Sequence, residues 1–169
     1  MERATGHPGY LRVDSVQQGD RNKVKGAYHI NLVDEVTQLQ FLGGVERISE
    51  HFLLPVPEDL LAAFPFRICG LHSDNGFEYI NHRVAALLKK LRIEQFTESR
   101  PRRSNDNALV ESKNGAVVRK RLGLRAQRGR HAERLHKFHR EVLSPYLNYH
   151  RPCYLPNEEM DIKGKLCKR

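Results

Sequence analysis

Three acidic residues occupy positions at which a carboxylate is either costly or well placed for chemistry. Asp14 interrupts an alternating apolar segment between Val13 and Val16, where an unpaired charge is unfavourable. Asp74 comes just after a short apolar run of strand length, and Glu111 falls in the first turns of a predicted helix. If the elements that carry them converge, the three carboxylates repel one another unless a cation neutralises them.

Ligands that offer only oxygen atoms suit Mg²⁺ or Mn²⁺. Two such ions about 4 Å apart activate an attacking oxygen and stabilise the leaving oxygen in a displacement at phosphorus. Each acid also has a simpler explanation. Asp14 can pair with Arg12, Asp74 can begin an Asp-Asn-Gly turn, and Glu111 can complement a helix dipole. Only the order and placement of all three together favour a site for two divalent ions.

The elements that must position these acids follow from the hydrophobic pattern. The predicted strands are 10–17, 24–33, 37–43, 66–71 and 93–97. The predicted helices are 45–54, 58–64, 79–91, 107–122 and 132–149, with the prolines at 55 and 57 interrupting between the first two. This order predicts an α/β fold, in which helices flank one mixed sheet and the first strand lies beside the fourth.

Positive charge is concentrated in the second half of the chain. The 169 residues have a formal net charge of +9, and residues 83–140 hold 17 of the 29 Lys and Arg but only 5 of the 20 Asp and Glu. That segment is therefore +12 and the remainder −3, a polarity that favours a polyanionic partner such as nucleic acid over a merely solubilising surface.

Composition excludes several other classes of protein. No apolar run approaches the roughly 20 residues that a membrane-spanning helix needs. The first ten residues do not resemble a signal peptide, so we expect a cytosolic protein without membrane contact. The three cysteines, at 69, 153 and 167, have no metal-binding spacing and are odd in number, which argues against a disulfide scaffold and a cysteine zinc site. His136 and His139 lack a cysteine pair, so a solvated helix face is expected there rather than zinc.

Three motifs in succession carry a resemblance to a known family. They are HSDNGFEY at 72–79, SRP at 99–101 and DNALVESKN at 106–114. In this order they resemble the bacterial insertion-sequence transposases, which share the catalytic core of retroviral integrases. The resemblance extends from about Tyr10 to Cys153. It implies a ribonuclease H-like fold with a five-stranded mixed sheet in the order 3-2-1-4-5, and Asp14, Asp74 and Glu111 as ligands of two Mg²⁺ or Mn²⁺ ions.

The resemblance also implies roles for residues around the acids. Asp34 is a rival for the first acid, but the family places that acid in the first strand, which favours Asp14. Asn75 and Gly76 are expected to shape the turn that aims Asp74. The expected DNA contacts are basic residues of the loop and helix around Glu111, namely Arg100, Arg102, Arg103, Lys113, Arg119 and Lys120.

These observations predict a DNA transposase or integrase core that cleaves phosphodiester bonds and joins a 3′-OH to target DNA, and that works as a dimer or larger oligomer. The expected organisation is an N-terminal extension (1–9), a catalytic core (10–150) and a tail (151–169) that begins a truncated segment. Family members carry a helix-turn-helix upstream, so a longer parent protein is expected. A ribonuclease H-type hydrolase of RNA–DNA hybrids and a non-catalytic DNA-binding or oligomerisation module are the alternatives, because fold does not fix substrate.

Overall fold

The described part of the chain is organised around one mixed β-sheet. The computed structural model describes residues 6–49, 55–73, 89, 93, 95–98, 108–123, 125–152, 158–160 and 166–168. Its strands are β1 (Tyr10–Gln17), β2 (Asp20–Arg21), β3 (Val24–Lys25), β4 (Tyr28–Asp34), β5 (Gln40–Val45), β6 (Gly70–Ser73), β7 (Gln95–Glu98), β8 (Glu158–Met160) and β9 (Leu166–Lys168).

The helices of the described residues fall into three segments. Helix α1 spans Pro55–Ala62. Helix α2 (Ala108–Lys113) continues as a π-helix over Asn114–Leu122, and the two together are called the α2 segment. Helix α3 (Ala132–Phe138) continues through π-helical turns at His139–Leu143 and Tyr146–His150, which together form the α3 segment. None of the helices described is long and apolar enough to cross a membrane.

The central sheet has the strand order β5-β4-β1-β6-β7. This confirms the predicted order 3-2-1-4-5 and the predicted α/β fold. β1 pairs antiparallel with β4 and parallel with β6, so that Asp14 lies opposite Asn31 and Val13 opposite Ser73. The alternation that predicted β1 also divides its side chains between the two faces of the sheet.

Each face of the sheet has its own apolar core. On one face Leu11 and Val13 pack with Leu60 of α1. On the other face Val16 packs with residues of the α2 and α3 segments, namely Val117, Val118, Leu143 and Leu147. The sheet is thus covered on both sides, and Asp14 lies on the same face as Val16 because alternate residues of a strand share a face.

Several predicted boundaries are wrong. The predicted helix 45–54 fails over its described part, because Val45 ends β5 and residues 46–49 form bends. The prolines do not interrupt a helix: Pro55 begins α1, at a position where the missing N–H costs nothing. The predicted strand 24–33 is split, since β3 pairs with β2 as a short hairpin before β4 begins at Tyr28.

One further difference concerns the C-terminal tail. The tail 151–169, where the sequence pattern is weak, contains the antiparallel strands β8 and β9. Most of the predicted helix 79–91 and the basic loop 98–107 lie outside the described residues.

Candidate active site

Asp14 lies near the centre of the sheet, on the face covered by the α2 segment. Its Oδ1 accepts a hydrogen bond from the backbone N–H of Ser15 at 2.7 Å. Its Oδ2 accepts one from Nδ2 of Asn114 at 2.6 Å. Both carboxylate oxygens therefore accept a hydrogen bond, which fixes the orientation of the carboxylate.

Glu111 and Asp14 line the same pocket, although 96 residues separate them in the chain. Glu111 stands in the first turn of α2 and is exposed, whereas Asp14 is partly buried. The pocket is open, with a volume of about 560 Å³, and Arg119 also lines it. Two acids and one guanidinium thus surround a space that is large enough for a phosphate group and its metal ions.

A chain of buried amides leads away from Asp14 across the sheet. Asn31 donates to Oδ1 of Asn114 at 2.7 Å, and Gln40 donates from Nε2 to Oδ1 of Asn31 at 2.9 Å. The backbone N–H of Gln40 in turn donates to Oδ1 of Asn148. Asn31, Gln40 and Asn114 are all buried. The side-chain oxygens of Asn114 and Asn31 each accept from the next amide, so the relay ends by donating to the Asp14 carboxylate.

The second predicted acid lies outside the described residues, as do its neighbours Asn75 and Gly76. Strand β6 ends at Ser73, the residue before Asp74 in the sequence, and Ser73 is opposite Val13. Ser73 is fully buried, and its Oγ has no hydrogen-bond partner among the described atoms.

The two carboxylates described at this pocket suit a hard metal ion. Asp14 and Glu111 offer only oxygen atoms, which is the chemistry that Mg²⁺ and Mn²⁺ prefer. Within the described ranges, which leave out Asp74, no three His, Cys, Asp or Glu side chains form a group that could hold a metal ion.

The predicted DNA-binding residues are described only in part. Arg119 and Lys120 are exposed on the α2 segment and Lys113 is partly buried, but only Arg119 lines the pocket of the two acids. The loop arginines Arg100, Arg102 and Arg103 lie outside the described residues.

Asp34, the rival first acid, is engaged in a turn. It is fully buried, with Oδ1 accepting from the N–H of Gly9 and Oδ2 accepting from the N–H groups of Val36 and Thr37 and from the Thr37 hydroxyl. It pairs with Leu11, three residues before Asp14 in β1. These contacts account for its burial without a metal ion.

The prediction of a solvated histidine face is wrong. His139 is fully buried against His29 of β4, and His136 contacts Asp59 of α1 at 3.1 Å. This face points inward because the α3 segment packs across the sheet. The sequence signal for it is the helical spacing: His139 precedes the buried Leu143 and Leu147 by four and eight residues.

The buried histidines form a second polar relay with a deducible direction. Gln18 donates from Nε2 to the carbonyl of Leu122 at 2.9 Å, so its Oε1 is the acceptor that faces Nε2 of His29. His29 must therefore carry its proton on Nε2 and accept at Nδ1 from Nε2 of His139, 2.8 Å away. Desolvation by burial lowers the pKa of His29 to about 4. Burial, with the nearby His29 and His136, lowers the pKa of His139 to about 3.

His72 is a packed histidine. It is buried in β6, and its Nδ1 lies 2.7 Å from the hydroxyl of Thr97 in β7.

By sequence, this chain is similar to part of a longer bacterial protein. No protein-family model matches the chain. An uncharacterized protein of Sinorhizobium fredii, y4rM, is 29% identical over 163 residues, a match that covers 96% of this chain and 46% of y4rM. The chain therefore spans less than half the length of that relative.

Comparison by structure identifies the fold. The catalytic core domain of BIV integrase superposes with a TM-score of 0.58 at 18% identity, over 86% of this chain and 87% of that one. The HTLV-2 integrase catalytic core, in complex with magnesium, gives 0.52 at 15% identity over 68% and 73%. A chain of the simian T-cell lymphotropic virus intasome in complex with PP2A regulatory subunit B56 gamma gives 0.58 at 15% identity over 95% and 61%. The chain thus has the ribonuclease H-like fold of retroviral-integrase catalytic cores.

Proposed function

We propose that this chain is the catalytic core of a DNA transposase of the insertion-sequence kind. It cleaves a phosphodiester bond at the end of a mobile element and joins the freed 3′-OH to target DNA. The observation that carries the proposal is the pocket shared by Asp14 and Glu111, with Arg119 beside them, on an integrase-type sheet. The fold alone is compatible with other chemistry, so the proposal rests on the residues of this pocket.

In this proposal Asp14, Asp74 and Glu111 hold two Mg²⁺ or Mn²⁺ ions. When bound, such ions increase the acidity of the attacking hydroxyl and stabilise the leaving oxygen. In cleavage, water attacks phosphorus and the P–O3′ bond breaks, which leaves a 3′-OH and a 5′-phosphate. In joining, that 3′-OH attacks a target phosphodiester, forms a new P–O3′ bond and displaces the former 3′ oxygen.

The chain's own residues have separate tasks in these two steps. Arg119 is suited to contact a non-bridging phosphate oxygen, since its guanidinium lines the pocket of the two acids. Asn114 holds Asp14 through Oδ2, and the buried amides behind it limit the rotation of that carboxylate. Asp74, with Asn75 and Gly76 shaping its turn, is the proposed third acid.

The three acids are tested by substitution. Asp14→Asn, Asp74→Asn and Glu111→Gln are each expected to abolish Mg²⁺-dependent cleavage and strand transfer while DNA affinity changes little, because the carboxylates hold metal and the basic residues bind phosphate. Asp20→Asn, on an exposed position of β2, is the matched control and should remain active. An active Asp14→Asn enzyme would contradict the assignment.

Substrate choice separates the proposal from its alternative. Duplex DNA carrying candidate element ends and a matched RNA–DNA hybrid are incubated with the chain and Mg²⁺ or Mn²⁺. A DNA transposase cuts the duplex and yields strand-transfer products, whereas a ribonuclease H-type enzyme degrades only the RNA strand of the hybrid. DNA binding without any metal-dependent cleavage by either the chain or a longer parent would support the non-catalytic module.

We further propose that the enzyme acts in the cytosol as a dimer or larger oligomer. The α3 segment supports self-association, because it exposes Phe138, Val142 and Tyr149 at spacings of four and seven residues. These side chains are 41%, 53% and 72% exposed. Sedimentation of the wild-type chain and of Val142→Glu tests this surface: only the wild-type chain should form dimers.

A further inference from the structure

A second cavity, on a different part of the sheet, has no role in the proposed reaction. Its volume is about 1100 Å³, and it lies between the β2–β3 hairpin, residues 46–48 after β5 and residues 126–130 before α3. Five basic residues line it: Lys23, Lys25, Arg47, Arg128 and Arg130. Among its described lining residues the only carboxylate is that of Glu46, so these residues have a formal charge of +4. It is called the basic cleft below.

Backbone hydrogen bonds hold two walls of the basic cleft together. Ala27 donates to the carbonyl of Gln127 at 2.6 Å, and Gly26 forms an antiparallel bridge with Arg128. Gly26 is required here, because a Cβ atom would lie 2.0 Å from the carbonyl oxygen of Gln18. The cations therefore stand on a preformed frame and need little ordering when a ligand binds.

The tip of the hairpin has an unfavourable backbone conformation at Lys23, a residue that lines the cleft. Asn22 and Lys23 both have positive φ angles, 55° and 64°, as a two-residue hairpin turn with its native twist requires. Glycine suits the second of these positions best, and lysine there is conformationally unfavourable. Lys23 nevertheless occupies this position, and its side chain lines the cleft.

The cations of the basic cleft are not neutralised by carboxylates within the described structure. The ion pair of Arg47 with the adjacent Glu46, at 3.7 Å, is the only one formed by a cleft cation among the described residues. Lys23, Lys25, Arg128 and Arg130 are exposed and have no described carboxylate partner. Five cations exceed the charge of a single phosphate, whereas a nucleic acid offers one negative charge per phosphate along its length, so the cleft suits a series of phosphates along a polymer.

We propose that the basic cleft is a second DNA-binding site, separate from the pocket of Asp14 and Glu111. Ser15 lines both cavities, so the two meet at the end of β1, and one DNA molecule can occupy both. Partly exposed Tyr28 and Ile48 give the cleft an apolar floor on which a sugar or base can rest. Lys23, Lys25 and Arg47 come from the part of the chain whose net charge is negative, which is why composition did not point to them.

The test compares two triple variants of the full chain that lose the same charge. The cleft variant is Lys23→Gln, Lys25→Gln, Arg130→Gln. The control is Arg125→Gln, Arg134→Gln, Lys137→Gln, three exposed residues outside both cavities. Affinity for a fluorescein-labelled DNA duplex is measured by anisotropy over a series of salt concentrations, without divalent metal, so that catalysis plays no part.

The cleft variant should bind DNA at least tenfold more weakly at about 0.1 M salt. The slope of log K against log salt concentration should also become shallower by about 3, because each lost phosphate contact reduces the slope by about 0.9. The control should change the slope by less than about 1. Equal losses in both variants would overturn the proposal, since they would show an effect of net charge alone. Failure of cleavage by the wild-type chain would count against the proposed reaction but not against this site.

A second measurement uses the unaltered protein and therefore does not depend on how the variants fold. Acetylation of Lys23 and Lys25 by a water-soluble ester is followed by mass spectrometry, with exposed Lys137 as the internal reference. DNA should slow acetylation of the two hairpin lysines severalfold and leave Lys137 unchanged. Equal protection by poly-glutamate of matched charge would overturn the assignment to nucleic acid, and so would no protection by DNA.

Discussion

The buried histidine pair makes the stability of this protein depend on pH in a predictable direction. Burial lowers the pKa of His29 and of His139 from 6.5 to about 4 and about 3. Both histidines are therefore neutral in the folded protein at pH 5, whereas in the unfolded chain they bind protons below pH 6.5. Because the unfolded state takes up more protons, stability is complete above pH 6.5 and falls as the pH decreases toward the folded-state values.

The magnitude follows from the same pKa values. In the unfolded chain the histidine pKa of 6.5 is 1.5 units above a solution pH of 5, and each unit corresponds to about 1.36 kcal/mol. The loss is about 2 kcal/mol for each histidine and about 4 kcal/mol for the pair. For a chain of this size, this corresponds to a decrease in Tm of roughly 8–16 °C between pH 7.5 and pH 5.

Urea unfolding at pH 7.5 and pH 5.0 measures this loss for the wild-type chain and for the double variant His29→Leu, His139→Leu. The variant leaves the Oε1 acceptor of Gln18 unpaired at every pH, so this particular loss lowers its stability equally at both pH values. Between the two pH values the wild-type chain should lose about 4 kcal/mol more than the variant. The exposed His150→Leu is the control for loss of a histidine as such. Equal losses in the wild-type chain and the double variant would refute the reasoning.

Three further predictions concern single residues. Asp34→Asn should lower the free energy of unfolding by about 1–3 kcal/mol, because the side-chain amide group would face backbone N–H donors that now bind a carboxylate oxygen. Strand transfer per folded molecule should persist. Asn114→Ala should weaken Mn²⁺ binding, because Asp14 loses the amide that donates to its Oδ2. Water-proton relaxation measures this binding, and unchanged binding with an intact circular dichroism spectrum would contradict a positioning role for Asn114. Gly44→Ala should lower stability by about 1–3 kcal/mol in thermal unfolding, because its Cβ would lie 2.8 Å from the carbonyl oxygen of Ala132.

The first strand of the sheet could be predicted from the sequence because its alternating pattern is local, whereas the strand order depended on the resemblance. The alternation over Tyr10–Gln17 gave the limits of β1 to the residue, and the motifs gave the strand order that the structure confirms. The elements predicted wrongly are those decided by tertiary contacts. The strand predicted over 24–33 breaks at Gly26, where the chain approaches Gln18 and pairs with Arg128.

The candidate site was predictable only in its charged residues. Asp14 and Glu111 stand out because a carboxylate in a strand and one at a helix start are conspicuous, and they line one pocket. The amides behind them are not conspicuous, since Asn31 and Gln40 come from separate strands and meet through the sheet register. Asn114 belongs to the motif that carried the resemblance, but its contact with Asp14 depends on where the α2 segment crosses β1.

The two relays explain how the α2 segment is kept in place over the sheet. Near its start Asn114 donates to Asp14 and accepts from Asn31; at its end the carbonyl of Leu122 accepts from Gln18, which is backed by His29. Apolar packing between these points allows small sliding, whereas buried hydrogen bonds have one arrangement that satisfies every partner. The separation of Glu111 from Asp14 is therefore fixed from both ends of the segment. Acid protonates His29 on Nδ1, the atom that accepts from His139, so two N–H donors then face each other and the support behind Gln18 is weakened. This predicts that the affinity for Mn²⁺ decreases from pH 5 to pH 4 more steeply in the wild-type chain than in the double histidine variant.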